Sequence, residues 1–143
     1  MSIKIEVSKI AQDSPDLQTA FAIRYEVFVL GQGCPADLER NQEEESHHFL
    51  AFADEKPAGA SRWRKTENGI KLERFAVLDA HRGQGVGQAL VKAVLNDLPA
   101  NANYVYLHAQ LPAVGLYEKF GFKKVGPEFE EAGIRHYKME LKR

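Results

Sequence analysis

Three glycines alternate with other residues in the segment from Gly83 to Gly87, directly after Arg82. The segment lies between an apolar run typical of a strand and a pattern typical of a helix. A helix N-terminus offers unpaired N–H groups and the positive end of its dipole, and glycines leave access to them open. Arg82 adds a positive charge at the same place. The spacing predicts an anion site suited to a pyrophosphate; the alternative is a tight turn that only lets the helix pack closely on the sheet.

Two better-known phosphate loops do not fit this turn. A nucleoside-triphosphate loop ends in Gly-Lys-Ser/Thr, and the dinucleotide fingerprint G-x-G-x-x-G has a different glycine spacing. The pattern present is R-x-x-G-x-G, formed by Arg82, Gly85 and Gly87. A nucleotide-binding protein that uses the same anion site stays a more distant alternative.

The elements that must position this turn follow from hydrophobic periodicity and turn residues. In chain order they are a strand over residues 2–10, a helix over 15–29, a loop with one short helix to 46, three antiparallel strands between 47 and 78, a helix over 85–98, a strand over 103–110, a helix after Pro112 and two closing strands. The order is β-α-β-β-β-α-β-α-β-β. The strand, crossover helix and strand around the turn predict at least one parallel pair.

Composition limits the class of protein. A chain of 143 residues, 44 % hydrophobic and 27 % charged, is predicted to form a single domain over residues 1–143. Its formal charge of −1 provides no basic field for a nucleic acid partner. One cysteine, Cys34, and an N-terminus without an apolar stretch predict no internal disulfide, no membrane association and a reducing cytoplasm.

Two motifs of this sequence, and the distance between them along the chain, resemble those of the GNAT superfamily of acyl-CoA-dependent N-acyltransferases. The first is R-x-x-G-x-G at Arg82, and the second is "LYEKFGFKKVG" at residues 116–126. The runs "IRYEVFVLGQ" and "GIRHYKMEL" are similar to the small bacterial ElaA-like branch. The resemblance covers nearly the whole chain. It implies an α/β acyl-CoA N-acyltransferase fold, with a mixed, mostly antiparallel sheet that is flanked by helices and split around the coenzyme.

The resemblance implies that acetyl-CoA is the acyl donor and assigns its binding residues. The strand before the signature holds the pantetheine amides through its main chain, in the manner of an added strand. The turn holds the pyrophosphate. The implied cofactor-binding residues are Phe75, Ala76, Val77, Arg82, Gly83, Gln84, Gly85, Val86, Gly87 and Gln88.

Tyr117 matches the tyrosine that many members use as general acid. A hydroxyl with a pKa of about 10 can protonate the thiolate that leaves when an amine attacks a thioester. The alternative is a core tyrosine, since Ala113 and Phe120 share its helix face.

The general base is less clear from the sequence. Some members carry a glutamate at the position that aligns with Lys71, which is not acidic here. Glu73 lies two residues on, on the same strand face, and is a catalytic candidate that would act through water; a surface glutamate is the alternative. His136 on the last strand is a second catalytic candidate, as a pocket base or a substrate contact, with a structural histidine as the alternative.

Charged residues near the first helix offer candidates for acceptor binding. Arg24 lies at the spacing of the buried stripe, and a charge there needs a partner or an anionic ligand. We expect it either to border the acceptor pocket or to form a structural salt bridge. The acidic run over residues 38–46 is either a solvated surface or an attraction for a cationic amine.

The resemblance implies transfer of acetyl from acetyl-CoA to a small-molecule or peptide primary amine, by direct attack in a ternary complex. His47 and His48 point to opposite faces of a strand, so no metal is predicted. Cys34 has no adjacent histidine base, so no acyl-enzyme is predicted. The alternative function is an inactive coenzyme A-binding sensor or interaction module. Dimers are common in the superfamily, which leaves a homodimer open.

Overall fold

The computed structural model describes residues 2–143 and contains seven strands and four α-helices. The strands are β1 (Ile5–Ile10), β2 (His47–Ala53), β3 (Lys56–Thr66), β4 (Gly69–Val77), β5 (Tyr104–Gln110), β6 (Lys123–Glu131) and β7 (Ile134–Lys142). The α-helices are α1 (Asp16–Arg24), α2 (Ala36–Glu39), α3 (Val86–Asp97) and α4 (Val114–Glu118). The predicted order of elements is confirmed, with α2 as the short helix in the predicted loop.

The strands form one sheet in the order β1-β2-β3-β4-β5-β7-β6. Neighbours are antiparallel except β4 and β5, which are parallel. Helix α3 crosses between these two strands, because parallel neighbours cannot be joined by a tight turn. The predicted mixed, mostly antiparallel sheet is confirmed.

Each face of the sheet has its own apolar cluster. On one face, Leu90 of α3 packs in a cluster with Leu72 and Leu107. On the other, Phe21 of α1 packs in a cluster with Leu50. Successive side chains of a strand alternate between faces, so residues 71 and 73 of β4 lie on the face opposite to Leu72. No helix among residues 2–143 has the length and apolar character needed to cross a membrane.

The first helix differs from its predicted form. It is α-helical only to Arg24 and continues as a π-helical segment, Tyr25–Leu30. The Gly31 N–H donates to the Glu26 carbonyl at 3.0 Å, five residues back. A Cβ at Gly31 would lie 2.6 Å from the Val27 carbonyl oxygen. Glycine therefore permits this wider turn to close.

A β-bulge interrupts β4. Ser61 of β3 alone lies opposite two β4 residues, Arg74 and Phe75. Arg74 has a φ of 61°, in the left-handed region that non-glycine residues seldom adopt. Bulges bend a strand and increase its twist, so β4 changes direction at this point.

Candidate active site

A gap opens between β4 and β5 beyond their last parallel pair, Leu72 and Leu107. Both strands continue, but β4 then pairs only with β3 and β5 only with β7 within residues 2–143. Main-chain N–H and C=O groups of residues 73–77 that face the gap consequently have no strand partner there. An extended amide chain fits such an edge as an added strand. The predicted contacts Phe75, Ala76 and Val77 belong to this stretch.

The glycine turn lies at the end of the same strand. Gly83 and Gly85 have φ values of 78° and 90°, and a Cβ at either would meet no atom within 4 Å. The first helical bond of α3 runs from the Ala89 N–H to the Gly85 carbonyl at 3.1 Å. The N–H groups of residues 86–88 therefore have no acceptor within the helix. The turn needs glycine for its conformation and also leaves an open, donor-rich surface; the anion site there stays a prediction.

Gly87 serves close packing instead. A Cβ there would lie 3.4 Å from Leu116 Cδ2 and 4.0 Å from Val77 Cγ2. This approach brings α4 beside the N-terminus of α3 and the end of β4.

The polar residues of the turn are exposed. Arg82 Nε donates to the Val77 carbonyl at 3.3 Å and its Nη1 lies 2.8 Å from Asp79 Oδ1. Gln84 Oε1 lies 3.3 Å from a His81 ring nitrogen, and Gln88 is exposed on the first turn of α3. The side chain of Val86, by contrast, is buried, so only its main chain faces the turn.

Gly85→Ala is expected to weaken acetyl-CoA binding about tenfold, because the side chain strains a left-handed residue and projects into the open space where the anion is predicted to bind. Titration calorimetry with acetyl-CoA measures the change. Gly126→Ala is the matched control: its φ is 76°, its Cβ also meets open space, and it lies on the edge strand β6. Equal affinities in the two variants would contradict an anion site at the turn.

Tyr117 lies on α4 beside the gap. Its ring packs edge-to-face on Phe75 at 5.7 Å and on Phe122 at 6.1 Å between ring centroids. Burial raises the pKa of Tyr117, so the phenol stays protonated at neutral pH. Within residues 2–143, only the Tyr106 hydroxyl among the tyrosines bonds another side chain, which leaves the Tyr117 hydroxyl free to meet a ligand. Tyr117 thus packs in the core beside the gap, and its role as general acid stays a prediction.

Glu73 is buried, so the alternative of a surface glutamate is wrong. Its Oε1 lies 2.8 Å from Arg62 Nη2 and 2.5 Å from Arg64 Nε, and its Oε2 lies 3.4 Å from Lys71 Nζ. Burial alone would raise the pKa of Glu73, but Arg62, Lys71 and Arg64 outweigh it and lower this pKa to about 2. A carboxylate with so low a pKa is a weak proton acceptor.

The same pairing predicts that the protein loses stability in acid. The pKa of Glu73 falls from an ordinary value of 4.5 to about 2 on folding, so its contribution is complete above about pH 5 and lost as the pH falls towards 2. The loss amounts to about 3 kcal/mol from this group. The pKa of Glu43 is also lowered, which adds to the effect. Urea unfolding measured between pH 7 and pH 3 tests this; a free energy of unfolding that is constant below pH 5 would contradict it.

Arg24 joins the same network of charges from α1. Its Nε lies 2.7 Å from Glu39 Oε2 and its Nη2 lies 2.7 Å from Glu43 Oε2, while Arg62 Nη1 reaches Glu43 Oε1 at 2.6 Å. Nε, Nη1 and Nη2 of Arg24 all already donate hydrogen bonds. Arg24 therefore forms a structural salt bridge, which was one of its two predicted roles. The other role was to border the acceptor pocket.

The acidic run is divided by this network. Of the four glutamates in the run, Glu39 and Glu43 turn inward to the arginines, and Glu44 and Glu45 are exposed. The inward carboxylates hold the loop after the first helix against the sheet. They are neither a solvated surface nor an open attraction for a cation.

His136 belongs to a polar cluster on β5, β6 and β7. Its Nδ1 lies 2.7 Å from the Ile134 carbonyl oxygen. Because a carbonyl only accepts, this nitrogen carries the proton and Nε2 keeps its lone pair in the neutral ring. Nε2 lies 3.8 Å from Glu131 Oε2, and His108 Nδ1 lies 3.4 Å from Glu131 Oε1. The His108 hydrogen bond, against the effect of burial, lowers the pKa of Glu131.

His47, His48 and Cys34 are held by packing, a hydrogen bond or partial burial. The His47 ring stacks on Trp63 at 4.0 Å, and His48 Nε2 donates to the Glu43 carbonyl at 2.9 Å. Burial raises the pKa of the Cys34 thiol. Residues 2–143 bring no three histidine, cysteine or acidic side chains into a metal-binding arrangement.

Sequence reasoning missed four polar residues of this region: Arg62, Arg64, His108 and Glu131. A usable signal was present for the arginines. They share parity on β3, as Lys71 and Glu73 do on β4, which indicates one charged face on an otherwise apolar pair of strands.

Solved structures share this fold, in which a parallel pair opens and the crossover helix starts at the open end. Escherichia coli ElaA has a TM-score of 0.75 and 26 % identity, covering 96 % of this chain and 98 % of that one. A GNAT family acetyltransferase from Elizabethkingia anophelis, solved with acetyl-CoA bound, has a TM-score of 0.72 at 16 % identity, covering 97 % and 98 %.

The chain belongs to the GNAT acetyltransferase family, since the acetyltransferase (GNAT) domain matches residues 12–143. It is 41 % identical over 133 residues to the uncharacterized N-acetyltransferase YjcF of Bacillus subtilis, covering 91 % of this chain and 95 % of that protein. The protein is therefore an N-acetyltransferase, and its resemblance to the ElaA-like branch is confirmed.

Proposed function

We propose that this chain binds acetyl-CoA in the gap between β4 and β5 and transfers its acetyl group to a primary amine by direct attack in a ternary complex. The observation that carries the proposal is the row of main-chain groups of residues 73–77 that face the gap without a strand partner, a few residues before the open turn at Gly83 and Gly85. Acetyl-CoA supplies a thioester as the reactive acyl group. The Elizabethkingia anophelis relative, solved with acetyl-CoA bound, supports this choice of donor.

Residues of the chain divide the binding of the donor. The main chain of Phe75, Ala76 and Val77 would hold the pantetheine amides as an added strand. The N–H groups of residues 86–88 and the charge of Arg82 would hold the pyrophosphate. The phosphates need open donors at the end of β4, and the turn offers them because Gly83 and Gly85 carry no side chain.

Two protons must move during the reaction. Tyr117 would give one to the leaving thiolate, since its phenol is protonated and lies against Phe75 at the gap. For the amine proton, we favour His136 over Glu73. The neutral ring of His136 has its lone pair on Nε2, whereas the three cations around Glu73 hold its carboxylate in a weakly basic state. Direct attack of the amine on the thioester, without an acyl-enzyme, agrees with the state of Cys34. Its raised pKa keeps the thiol protonated, and a protonated thiol is a poor nucleophile.

Thiol release from acetyl-CoA against a panel of primary amines, together with calorimetric binding of acetyl-CoA, tests the proposal. Release that depends on an amine is expected. Binding without amine-dependent release would favour a coenzyme A sensor or interaction module, and absence of binding would contradict the site itself. A small-molecule or peptide acceptor and a homodimer stay predictions.

A further inference from the structure

Two like charges lie side by side on the face of the sheet that carries Glu73. Arg64 of β3 and Lys71 of β4 are directly paired across the antiparallel ladder. Like charges in that position repel each other. Their side chains are only 16 % and 15 % exposed, so water screens them little. Such a pair needs compensating negative charge.

The protein supplies too little of it. Four carboxylates, Glu39, Glu43, Glu73 and, at longer range from Lys71, Glu131, face five inward cations within residues 2–143; these cations are Arg24, Arg62, Arg64, Lys71 and Arg74.

Arg64 and Lys71 are the two cations with the least compensating negative charge. Arg24, Arg62 and Arg74 also donate to main-chain carbonyls between residues 38 and 41. Within the described chain, Arg64 and Lys71 form ion pairs with the Glu73 carboxylate alone, which they share with Arg62. Glu131 acts on Lys71 only through a longer-range Coulomb attraction. The outer nitrogens of Arg64 and the ammonium of Lys71 can therefore accept a further anion.

This cationic pair lies next to the polar cluster around His136. Lys71 is in register with Tyr106 of β5, and His108 lies two residues further along the same face of that strand. His108 contacts Glu131, which in turn faces His136. One surface thus has an imidazole at one end and incompletely neutralised cations at the other.

We propose that the amine acceptor carries a carboxylate, which binds Arg64 and Lys71 while its amine lies at His136. The inference rests on the proposed transferase function and narrows its substrate class to amino acids and similar carboxylated amines. Arginine and lysine together suit a carboxylate, since the guanidinium fork and the ammonium donate to both oxygens.

Matched amines test the substrate class. β-Alanine, propylamine and 1,3-diaminopropane have the same amine end and differ in an anionic, neutral or cationic far end. We expect kcat/KM for β-alanine to exceed that for the other two by about 10- to 100-fold. Equal use of the three would overturn the inference and leave the transferase function standing, whereas no turnover of any amine would count against the function itself. Better use of 2-aminoethyl phosphate than of β-alanine would overturn the choice of a carboxylate.

Lys71→Gln tests the site. The variant is expected to raise KM for β-alanine about tenfold or more and to change KM for propylamine little. Because it relieves repulsion with Arg64, its melting temperature should not fall. A variant that melts earlier and raises KM for both amines alike would show a structural lysine and overturn the assignment. Lys56→Gln, at an exposed lysine at the start of β3, should match the wild type throughout.

Discussion

Tyr117→Phe is expected to lower kcat by about 10²- to 10³-fold while leaving acetyl-CoA affinity nearly unchanged. The variant removes one hydroxyl and keeps the ring that packs on Phe75 and Phe122. Because that hydroxyl bonds no other side chain within residues 2–143, its loss should not destabilise the fold. The effect should therefore fall on proton donation to the leaving thiolate.

Single-turnover and steady-state rates with a productive amine, beside calorimetric binding of acetyl-CoA, measure this expectation. Tyr104→Phe is the matched control, since Tyr104 is a half-buried tyrosine at the far end of β5. Its rates should equal those of the wild type. A Tyr117→Phe variant that keeps the wild-type kcat would reduce Tyr117 to a core residue.

Glu73→Gln is expected to lower the free energy of unfolding by about 3–5 kcal/mol, because the buried cations around it lose their carboxylate. Arg62 is fully buried, and Arg64 and Lys71 have Glu73 as their sole acidic partner within residues 2–143. Gln retains the shape of the side chain, so the loss reports charge rather than packing.

Urea unfolding at pH 7 measures this change. Glu6→Gln removes an exposed ion pair with Lys4 and should cost only about 0–1 kcal/mol. If Glu73→Gln does not accumulate as folded protein, the double variant with Lys71→Gln should recover part of the loss, since it removes one unpaired cation. Equal stability of Glu73→Gln and Glu6→Gln would mean that the network contributes little.

The order of elements and the anion turn were predictable because they depend on local patterns. The alternation in β1, the apolar stripe of α3 and the glycines of the turn are each encoded within a few residues. Gly83 and Gly85 adopt positive φ values, which is the property that glycine supplies in a turn.

The ion network and the opening of the sheet were not predictable in the same way. Glu43 and Arg62 are 19 residues apart, and only the folded loop brings them together. The bulge at Arg74 depends on how β3 and β4 pair, and no glycine marks it in the sequence. Sequence spacing placed Lys71 and Glu73 on one face correctly, but their ion pairs with each other and with Arg62 and Arg64 form only in the folded sheet.

The most direct test of the central claim is the product of the reaction itself. The wild-type protein would be incubated with acetyl-CoA labelled with 13C in the acetyl group and with β-alanine, and both products would be quantified by mass spectrometry. Our account predicts free coenzyme A and labelled N-acetyl-β-alanine in equal amounts. Coenzyme A released at the same rate with and without any of the amines, with no acetylated product, would contradict it.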